Sequence, residues 1–574
     1  MALMTLAALL GPALSQIFCT FVVLGIGVQQ SIRTIEVDNR LRFLLGVYLV
    51  AASGLWCFYI VFFSSGWLRA TASTLLASFS FNLGLTASTL LYRAFFHRLR
   101  RFPGPLLAKL TRLSIMIRSL ERTQYHVDLE ELHHKYGDFV RTGPRELSIN
   151  RPSAVHAFCG PQSPCTKPTW YSHVSDDKTL ISLNSTRDPG VHRRRRRAWD
   201  RGFSMKALAT YEPRLQHKVN VLVSQIRARI GQPLNISQWT MYLAFDVMGL
   251  VGFSKDFRQL EEATEHAAIK ELHGQMLFLG VLKPVPWILT ILGAIQGLVG
   301  DYGQFMTYCQ DRIAEKKEEW NASETKVPQD VVSWLLKAAE EKDQSAPPGD
   351  QALNEDGRLM IITGSDTTGV ALANAFYYLA KHPSVYKALQ AELDATFPKH
   401  SLIQTPATAP VPEFTNETLR RLPYLEAIIT ETLRLKPAVP SGQPRQTPPS
   451  GLQVDEVYIP GDTIVVIPQH VIQRDERWFP SGNDFIPERW LDRKGELVKK
   501  EEAFFPFQIG RYGCVGKQFA LMEMRSVIAR VALEFDLGFA EGETGVEFDQ
   551  GAKDTFTYTV GPLQLVFKER EERA

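Results

Sequence analysis

Three long stretches without a charged residue occupy most of the first hundred positions: Met1 to Val28, Phe43 to Leu68 and Ala70 to Tyr92. A helix needs roughly 20 apolar residues to cross a hydrocarbon layer of about 30 Å, and each stretch is long enough. Backbone polar groups in lipid must be bonded within their own segment, so spans of this kind can only be helical. Residues 1–92 are therefore predicted to form a membrane anchor with up to three transmembrane helices.

Two alternatives exist for this region. The first stretch could be a cleaved signal peptide, although it lacks the basic region that precedes the apolar core of such peptides. The other two contain more Ser, Thr and Gly, so either could be a hairpin or an interfacial helix. Arginines flank the stretches unequally, with Arg33, Arg40 and Arg42 before the second, Arg69 before the third, and Arg93, Arg98, Arg100 and Arg101 after it. Since basic flanks stay in the cytosol, the chain after Tyr92 is predicted to be cytosolic.

The composition excludes two other classes of protein. Sixty-four Lys and Arg against 61 Asp and Glu leave a net charge of +3, which is too balanced to indicate a nucleic-acid-binding protein. The six cysteines form no repeated close pairs, which argues against a structural zinc site and against a disulfide-stapled secreted domain. The chain thus fits a reducing compartment and no nucleic-acid partner.

After the anchor, residues 93–105 contain four arginines and the run Phe102-Pro103-Gly104-Pro105, which predicts a basic, extended hinge. Apolar residues then recur at helical spacing in Leu215 to Ile230, Ile361 to Leu379 and Tyr424 to Leu435. Shorter β-rich runs lie at Asp138 to Ile149, Leu452 to Ile467 and Asp554 to Phe567. Surface loops are predicted at Asp343 to Leu353 and at Leu402 to Pro412. Residues 106–574 are therefore predicted to be one mainly α domain with small β-sheets.

The most informative stretch runs from Phe507 to Gly516 and contains Cys514. A cysteine by itself is more often an inert buried residue than a ligand. Here, however, glycines at 510, 513 and 516 allow a tight loop whose backbone N–H groups can point at the sulfur. A helical run from Lys517 to Leu533 follows, and the positive end of a helix favours a thiolate. The loop therefore predicts a metal-binding thiolate.

This stretch resembles the cysteine loop of cytochromes P450, in which Phe507, Gly510, Cys514 and Gly516 occupy the recurring positions. The resemblance implies the cytochrome P450 fold, mainly α with small β-sheets, and haem b (iron protoporphyrin IX) as the cofactor. It also implies that Cys514 is the axial ligand of the iron and that the other three residues contact the haem.

A second motif is Glu431-Thr432-Leu433-Arg434, in which Glu431 and Arg434 lie one helical turn apart. Alone it would be an ordinary ion pair. It resembles the Glu-x-x-Arg motif of the family, which implies that Glu431 and Arg434 form a structural lock with Arg489.

A third motif, from Thr363 to Thr368, interrupts an apolar helix that is predicted to open near Asn354 as its N-cap. Polar residues inside such a helix could mark no more than an internally satisfied kink. The resemblance instead implies that Gly364 opens a groove for dioxygen and that Asp366 and Thr367 relay protons to it. Thr363 stands where the family usually has a small alanine.

A run of arginines from Arg193 to Arg197 follows His192, and alone it would suggest a nuclear signal or a nucleic-acid patch. The resemblance places His192 at the position of the family's usual tryptophan and Arg196 at that of an arginine, both reaching a haem propionate. It also assigns Arg445 to a propionate. Tyr512 replaces a usual arginine two residues before the cysteine, so only its hydroxyl could contact the haem.

The activity that the resemblance implies is insertion of one oxygen atom from O2 into a hydrophobic small molecule. The cysteine loop resembles that of fungal enzymes that tailor secondary metabolites. This resemblance implies a terpenoid, a polyketide or an alkaloid as the substrate. Electrons would come from NADPH through cytochrome P450 reductase, with cytochrome b5 as a further donor, at the endoplasmic reticulum membrane and with the catalytic domain in the cytosol. The alternatives are a haem-thiolate isomerase or dehydratase and a non-catalytic membrane haem-binding protein.

Overall fold

The computed structural model describes residues 11–33, 40–172, 180–288, 302–397 and 414–570. Its first three helices are α1 (Gly11–Ile32), α2 (Leu41–Phe63) and α3 (Trp67–Leu91). Each is long and apolar enough to cross a membrane. The prediction of three apolar helices ahead of the catalytic domain is confirmed, although the first ten residues of the first stretch lie outside the described residues.

Helices α1 and α3 pack closely in parallel. Where they meet, a Cβ added to Gly84 would lie 2.2 Å from the backbone oxygen of Val22. Near the end of the pair, Ser88 donates a hydrogen bond of 2.9 Å to Gln29. Helix α2 runs antiparallel to α3. Tyr48, near the start of α2, accepts a hydrogen bond from Asn82 in the second half of α3, whereas Trp56, later in α2, donates to Thr71 near the start of α3. This alternation of direction is what three full crossings of a membrane require.

Replacing Gly84 with leucine is expected to separate α1 from α3, because close packing of helices in lipid depends on small residues at the contact. The measurement is crosslinking in membranes between cysteines placed by Gln29→Cys and Ser88→Cys, which should form efficiently in the parent chain. Gly84→Leu should lower the crosslink yield several-fold.

The matched control is Gly54→Leu on α2, where nothing lies within 4 Å of an added Cβ. Both variants are compared in a chain that carries Cys19→Ser and Cys57→Ser, so that only the engineered pair reacts. Equal yields from the Gly84 and Gly54 variants would contradict this packing.

The chain leaves the anchor along a surface of the catalytic domain. A short π-helix, Tyr92–Phe96, extends α3, and beyond it Leu99 and Phe102 are buried. The backbone N–H of Arg141 donates to the oxygen of Pro103 at 2.7 Å. Gly104 has φ of +151°, and a Cβ there would lie 2.3 Å from the oxygen of Arg141. The predicted hinge segment is thus held against the catalytic domain at several points.

The helices of the catalytic domain follow in chain order. They are α4 (Leu106–Leu110), α5 (Leu113–Arg122), α6 (Tyr125–Tyr136), α7 (Pro152–Cys159), α8 (Pro189–Gly202), α9 (Met205–Arg227), α10 (Ile236–Phe253), α11 (Gln259–Glu262), α12 (Ala267–Leu282), α13 (Tyr302–Ala322), α14 (Val331–Glu340), α15 (Asp350–Lys381), α16 (Pro383–Thr396), α17 (Asn416–Leu419), α18 (Pro423–Leu435), α19 (Gln469–Ile472), α20 (Lys494–Leu497), α21 (Lys517–Glu534) and α22 (Val546–Gln550). Short 3-10 helices lie at Thr169–Ser172, Pro487–Trp490, Glu501–Ala503 and Gly510–Tyr512.

The strands form small sheets at the edges of this helical body. They are β1 (Phe139–Gly143), β2 (Glu146–Ile149), β3 (Leu234–Asn235), β4 (Arg445–Gln446), β5 (Leu452–Val454), β6 (Val457–Ile459), β7 (Ile464–Val466), β8 (Phe535–Phe539), β9 (Lys553–Asp554), β10 (Tyr558–Thr559) and β11 (Gln564–Glu569). One sheet has the order β1-β2-β7-β4, a second has β3-β11-β8, and β5-β6 and β9-β10 are two-stranded. All three predicted β-rich regions contain strands, and the predicted fold class is confirmed.

The long helix α15 runs through the core for about 48 Å at 1.5 Å per residue and packs along α10 and against α21. It begins at Asp350 with Gly349 as its N-cap, so the prediction that it opens near Asn354 is wrong. Gly349 has φ of +88°, which lets the chain turn into the helix directly after Pro347 and Pro348. The predicted loop at Asp343 to Leu353 accordingly ends at the start of α15, while most of the Leu402 to Pro412 loop falls among residues that the structure does not describe.

Candidate active site

A cavity lies between α8, α15, α21 and the loop that precedes α21. It encloses about 1520 Å³ of space free of protein atoms, part of which is open to solvent. Cys514 lines it from the loop, and Gly364, Thr367 and Thr363 line it from α15. The cysteine and the polar residues of α15, which are about 150 residues apart in the chain, thus face the same space.

The loop around Cys514 is held by its own backbone. Gly510 has φ of +67°, and an added Cβ would lie 2.4 Å from the oxygen of Cys159, so a side chain there would be strained and would clash. The backbone N–H of Cys514 donates to the oxygen of Phe507 at 2.8 Å, which closes the loop. Gly516 is the N-cap of α21. These contacts explain why glycines recur at this spacing.

The Cys514 sulfur sits beside the positive end of α21. Burial raises the pKa of its thiol, whereas the backbone N–H groups of Gly516 and Lys517 and the charge of Arg196 act to lower the pKa. The thiol is exposed toward the cavity rather than buried in the core. It can therefore present a sulfur ligand to a group inside the cavity, with N–H dipoles that stabilise the thiolate.

Two of the predicted residues of α15, Thr367 and Gly364, face the cavity, and both already contact other parts of the protein. The Thr367 hydroxyl donates to the backbone oxygen of Thr363 at 2.8 Å, and its lone pairs remain available to a cavity ligand. A Cβ added to Gly364 would lie 1.9 Å from the Met248 methyl group on α10. A side chain at this position would therefore displace the flexible end of Met248.

Asp366 lies on a different side of α15 and does not line the cavity. Its side chain is buried, and its Oδ1 is 3.4 Å from Nε2 of His273 on α12. His273 was not among the predicted site residues, because a single histidine in a loosely amphipathic helix carries no motif that would single it out.

His192 and Arg196, the two predicted propionate contacts of α8, both line the cavity. Arg196 donates to the oxygen of Gly513 in the cysteine loop at 2.7 Å. His192 Nδ1 and the Tyr512 hydroxyl are buried and have no hydrogen-bond partner among the residues that the structure describes. Burial and the charge of Lys167 lower the pKa of His192 to about 3, so its ring is neutral. Two polar groups thus await partners in the cavity.

Lys167 also lines the cavity and was not predicted. Its ammonium is buried, donates to the oxygen of Asn184 at 2.6 Å and lies 4.9 Å from the centre of the Tyr512 ring. The Arg445 guanidinium lies 4.8 Å from the same ring. Burial and the neighbouring Arg445 hold the pKa of Lys167 well below its usual range. Among the described residues, neither cation has a carboxylate as an ion-pair partner.

These observations fit haem b. The fold brings together one accessible thiol, two buried polar groups without partners and two buried cations without counter-charges. A porphyrin that carries an iron atom and two carboxylate groups would provide partners for the thiol, for the two polar groups and for Lys167, which all line the cavity, whereas Arg445 lies behind Tyr512 and does not line it. The Tyr512 ring lies between Lys167 and Arg445. Lys167 therefore places an amino group beside Tyr512, the residue that replaces the family's usual arginine.

Behind the cysteine loop, Glu431 binds two guanidinium groups at once. Arg434 donates to both of its oxygens at 2.8 Å, and Arg489 donates to Oε1 at 3.0 Å. All three side chains are fully buried. Burial would raise the pKa of Glu431, but the two arginines outweigh it, and the pKa is lowered. Gln473 connects this cluster to the loop, because it donates to the oxygen of Arg434 and accepts from the N–H of Phe505.

Comparisons with known proteins agree with this geometry. The sequence profile of the family described as cytochrome P450 matches residues 103–567. A cytochrome P450 monooxygenase of Fusarium pseudograminearum is 39% identical over 488 residues, which cover 85% of each chain. A cytochrome P450 monooxygenase of Eupenicillium brefeldianum is 38% identical over 86% of this chain and 95% of its own length.

Two further similarities concern a named activity and the fold. The tryprostatin B 6-hydroxylase of Aspergillus fumigatus is 35% identical over 85% of this chain and 84% of its own length. The crystal structure of the cytochrome P450DA haem domain superposes with a TM-score of 0.62 at 18% identity, over 78% of this chain and 93% of that chain. The cofactor of this fold is haem b, and catalysis requires a redox partner and a hydrophobic substrate. The chain therefore belongs to the cytochrome P450 family and is a haem-thiolate monooxygenase.

Proposed function

We propose that this monooxygenase inserts one oxygen atom into a hydrophobic small molecule as a tailoring step of fungal secondary metabolism. The observation that supports it is that the Cys514 thiol and the Thr367 hydroxyl face one cavity, whose remaining walls are largely apolar. Met248, Met360 and Val439 contribute to those walls. The likeness to a hydroxylase of tryprostatin B supports a terpenoid, polyketide or alkaloid-like substrate.

We assign the site residues the following roles toward a bound haem. Cys514 would hold the iron, and Phe507, Gly510 and Gly516 shape the loop that presents the sulfur. His192, Arg196, Tyr512, Arg445 and Lys167 would hold the propionates. The bound haem supplies an iron atom that activates dioxygen. Glu431, Arg434 and Arg489 keep the loop in place from behind.

Protons reach the reaction from α15. The Thr367 hydroxyl donates to the oxygen of Thr363 and can accept a hydrogen bond from a water molecule in the cavity, which positions that water. Asp366 precedes Thr367 in the chain and lies on the side of α15 that faces away from the cavity. It connects Thr367 to that side. The Met248 methyl group covers Gly364, so a small ligand beside Thr367 would displace the end of that side chain.

Electrons come from NADPH through cytochrome P450 reductase, with cytochrome b5 as a further donor. Three arginines of α8, Arg193, Arg194 and Arg197, are exposed on the helix that carries His192 and Arg196, and they suit an acidic donor. Residues 1–92 anchor the enzyme in the endoplasmic reticulum membrane. Residues 93–105 are the hinge that joins this anchor to the catalytic domain. Residues 106–574 form that domain in the cytosol. The arginines that flank α1 to α3 support this orientation.

The test is Thr367→Ala, assayed on the precursor that accumulates in a strain lacking this enzyme. Haem content and substrate binding should be nearly unchanged, because Cys514 and the propionate contacts lie elsewhere. The ratio of product to NADPH consumed should fall about tenfold, with hydrogen peroxide formed instead, because proton delivery is lost. Thr363→Ala removes a hydroxyl one turn away that is bound to the oxygen of Leu359, and it should stay coupled.

A Thr367→Ala enzyme that is as tightly coupled as the parent would show that protons are delivered by another route. A precursor that differs from the product by rearrangement or loss of water, rather than by one oxygen atom, would identify an isomerase or dehydratase instead.

A further inference from the structure

His273, on α12, lies between two carboxylates. Its Nδ1 is 2.6 Å from Oε1 of Glu265, in the segment just before α12, and its Nε2 is 3.4 Å from Oδ1 of Asp366. About 30% of the His273 side chain and 26% of the Glu265 side chain are exposed, compared with 7% for Asp366. The three groups thus form a line from the surface toward α15.

The ring is held as an imidazolium. Burial alone would lower the pKa of His273, but its hydrogen bonds to Asp366 and Glu265 and their charges raise the pKa to about 10. Helix α10 contributes only the ring of Phe245, which packs edge-on at 5.8 Å. Glu271 of α12 makes no hydrogen bond to the ring.

Two other helices packed against α12 carry arginines that pair with carboxylates other than those beside His273. On α13, Arg312 pairs with Glu315 at 2.5 Å, and on α5, Arg122 pairs with Asp128. Within the described part of the chain, the charge state of His273 is therefore set by Glu265 and Asp366.

Asp366 needs such a neighbour if it is to supply protons. Its carboxylate is buried and does not line the cavity, so each proton that it passes toward Thr367 must be replaced from the other side of α15. Among the described residues, His273 is the ionisable side chain that hydrogen-bonds to Asp366. The imidazolium carries a proton at the nitrogen that faces this carboxylate.

We infer that His273 recharges Asp366 with protons from solvent, with Glu265 as the residue that positions the ring. The inference rests on the proposed role of Asp366 and Thr367. The Nε2–H bond of His273 breaks as the proton moves to Oδ1 of Asp366, which leaves a neutral ring that still donates Nδ1–H to Glu265. Because Nε2 faces the buried Asp366, the neutral ring must turn Nε2 toward the exposed edge of the side chain, where a hydronium ion of the solvent supplies the replacement proton.

The competing explanation is that His273 only braces α12 against α15 by its charge. Two substitutions separate these roles. His273→Gln keeps a hydrogen-bonding side chain but removes both the charge and the exchangeable proton. His273→Arg keeps the charge beside Asp366 but holds its protons too tightly to release them.

If His273 supplies protons, both variants should turn over the precursor about tenfold or more slowly than the parent. Both should also show a larger solvent deuterium isotope effect on turnover, with an unchanged haem spectrum. His217→Gln, at an exposed histidine of α9, is the matched control and should behave like the parent. A His273→Arg enzyme with parental turnover and isotope effect would overturn the inference in favour of a brace.

Glu265→Gln offers a second test that leaves the ring in place. Loss of one carboxylate lowers the pKa of His273, so the protonated ring disappears at a lower pH. The alkaline limb of the pH–turnover profile should then shift down by about one unit or more. Proton NMR of His273 in the full-length enzyme measures the same change without turnover.

An alkaline limb that Glu265→Gln does not move would also overturn the inference. If Thr367→Ala loses coupling while the His273 variants do not, the proposed function stands and only this inference fails. If Thr367→Ala stays coupled, the proposed relay itself has failed.

Discussion

Replacing Cys514 with alanine is expected to reduce monooxygenase activity to background, because no other described thiol lines the cavity. Without a thiolate, the iron loses the axial ligand that donates electron density to it. The measurement is the absorption spectrum of the reduced protein under carbon monoxide, in which the thiolate-type Soret band should vanish.

The control is Cys309→Ala, a buried cysteine on α13 away from the cavity, which should keep the band. Removal of its side chain tests whether loss of any buried thiol disturbs haem binding. A thiolate-type band that persists in the Cys514→Ala protein would show that the ligand is another residue.

Replacing Glu431 with glutamine is expected to prevent accumulation of folded, haem-containing protein. The substitution leaves Arg434 and Arg489 fully buried with their shared counter-charge removed, which costs about 3–5 kcal/mol. A typical domain has only about 5–15 kcal/mol of stability in total. The measurement is the yield of haem-containing protein in membranes, together with the thermal midpoint of whatever is recovered.

Glu417→Gln provides the comparison, since Glu417 pairs with Arg421 at the surface, where both side chains are more than 70% exposed. Such pairs contribute about 0–1 kcal/mol, so this variant should match the parent. Acid should likewise destabilise the parent protein through Glu431. The pKa of Glu431 is lowered, so its contribution is complete at neutral pH and is lost as the pH falls through that lowered pKa. Equal yields from the two variants would contradict a structural role for Glu431.

The elements that could be predicted from the sequence were those with a repeating pattern or a chemically demanding spacing. Helix α21 and the loop before it were predictable because glycines at 510, 513 and 516 permit the tight turns of a loop around the cysteine, and a helical run follows directly. The three apolar helices were predictable from the length of the three stretches that contain no charged residue. The start of α15 was not, because Asn354 looks like an N-cap, whereas Gly349 performs that function through its backbone.

The residues that were missed act through contacts between distant segments. Lys167 reaches the Tyr512 ring across more than 300 residues of chain, and His273 reaches Asp366 from another helix. Neither has a motif, and a single Lys or His in a helix or loop is usually solvated. Gly364 could be predicted from its motif, but its contact with the end of the Met248 side chain could not.

The path of residues 97–104 gives the anchor a second role. His97, Leu99 and Phe102 are buried, and Arg98 reaches Asp462 next to β7. A chain fastened in this way transmits the tilt of α3 to the whole catalytic body, instead of letting it swing on a tether. In a membrane, the contacts of residues 97–104 would set which side of the enzyme faces lipid, and a donor held in that membrane would meet the catalytic body at one angle and one height.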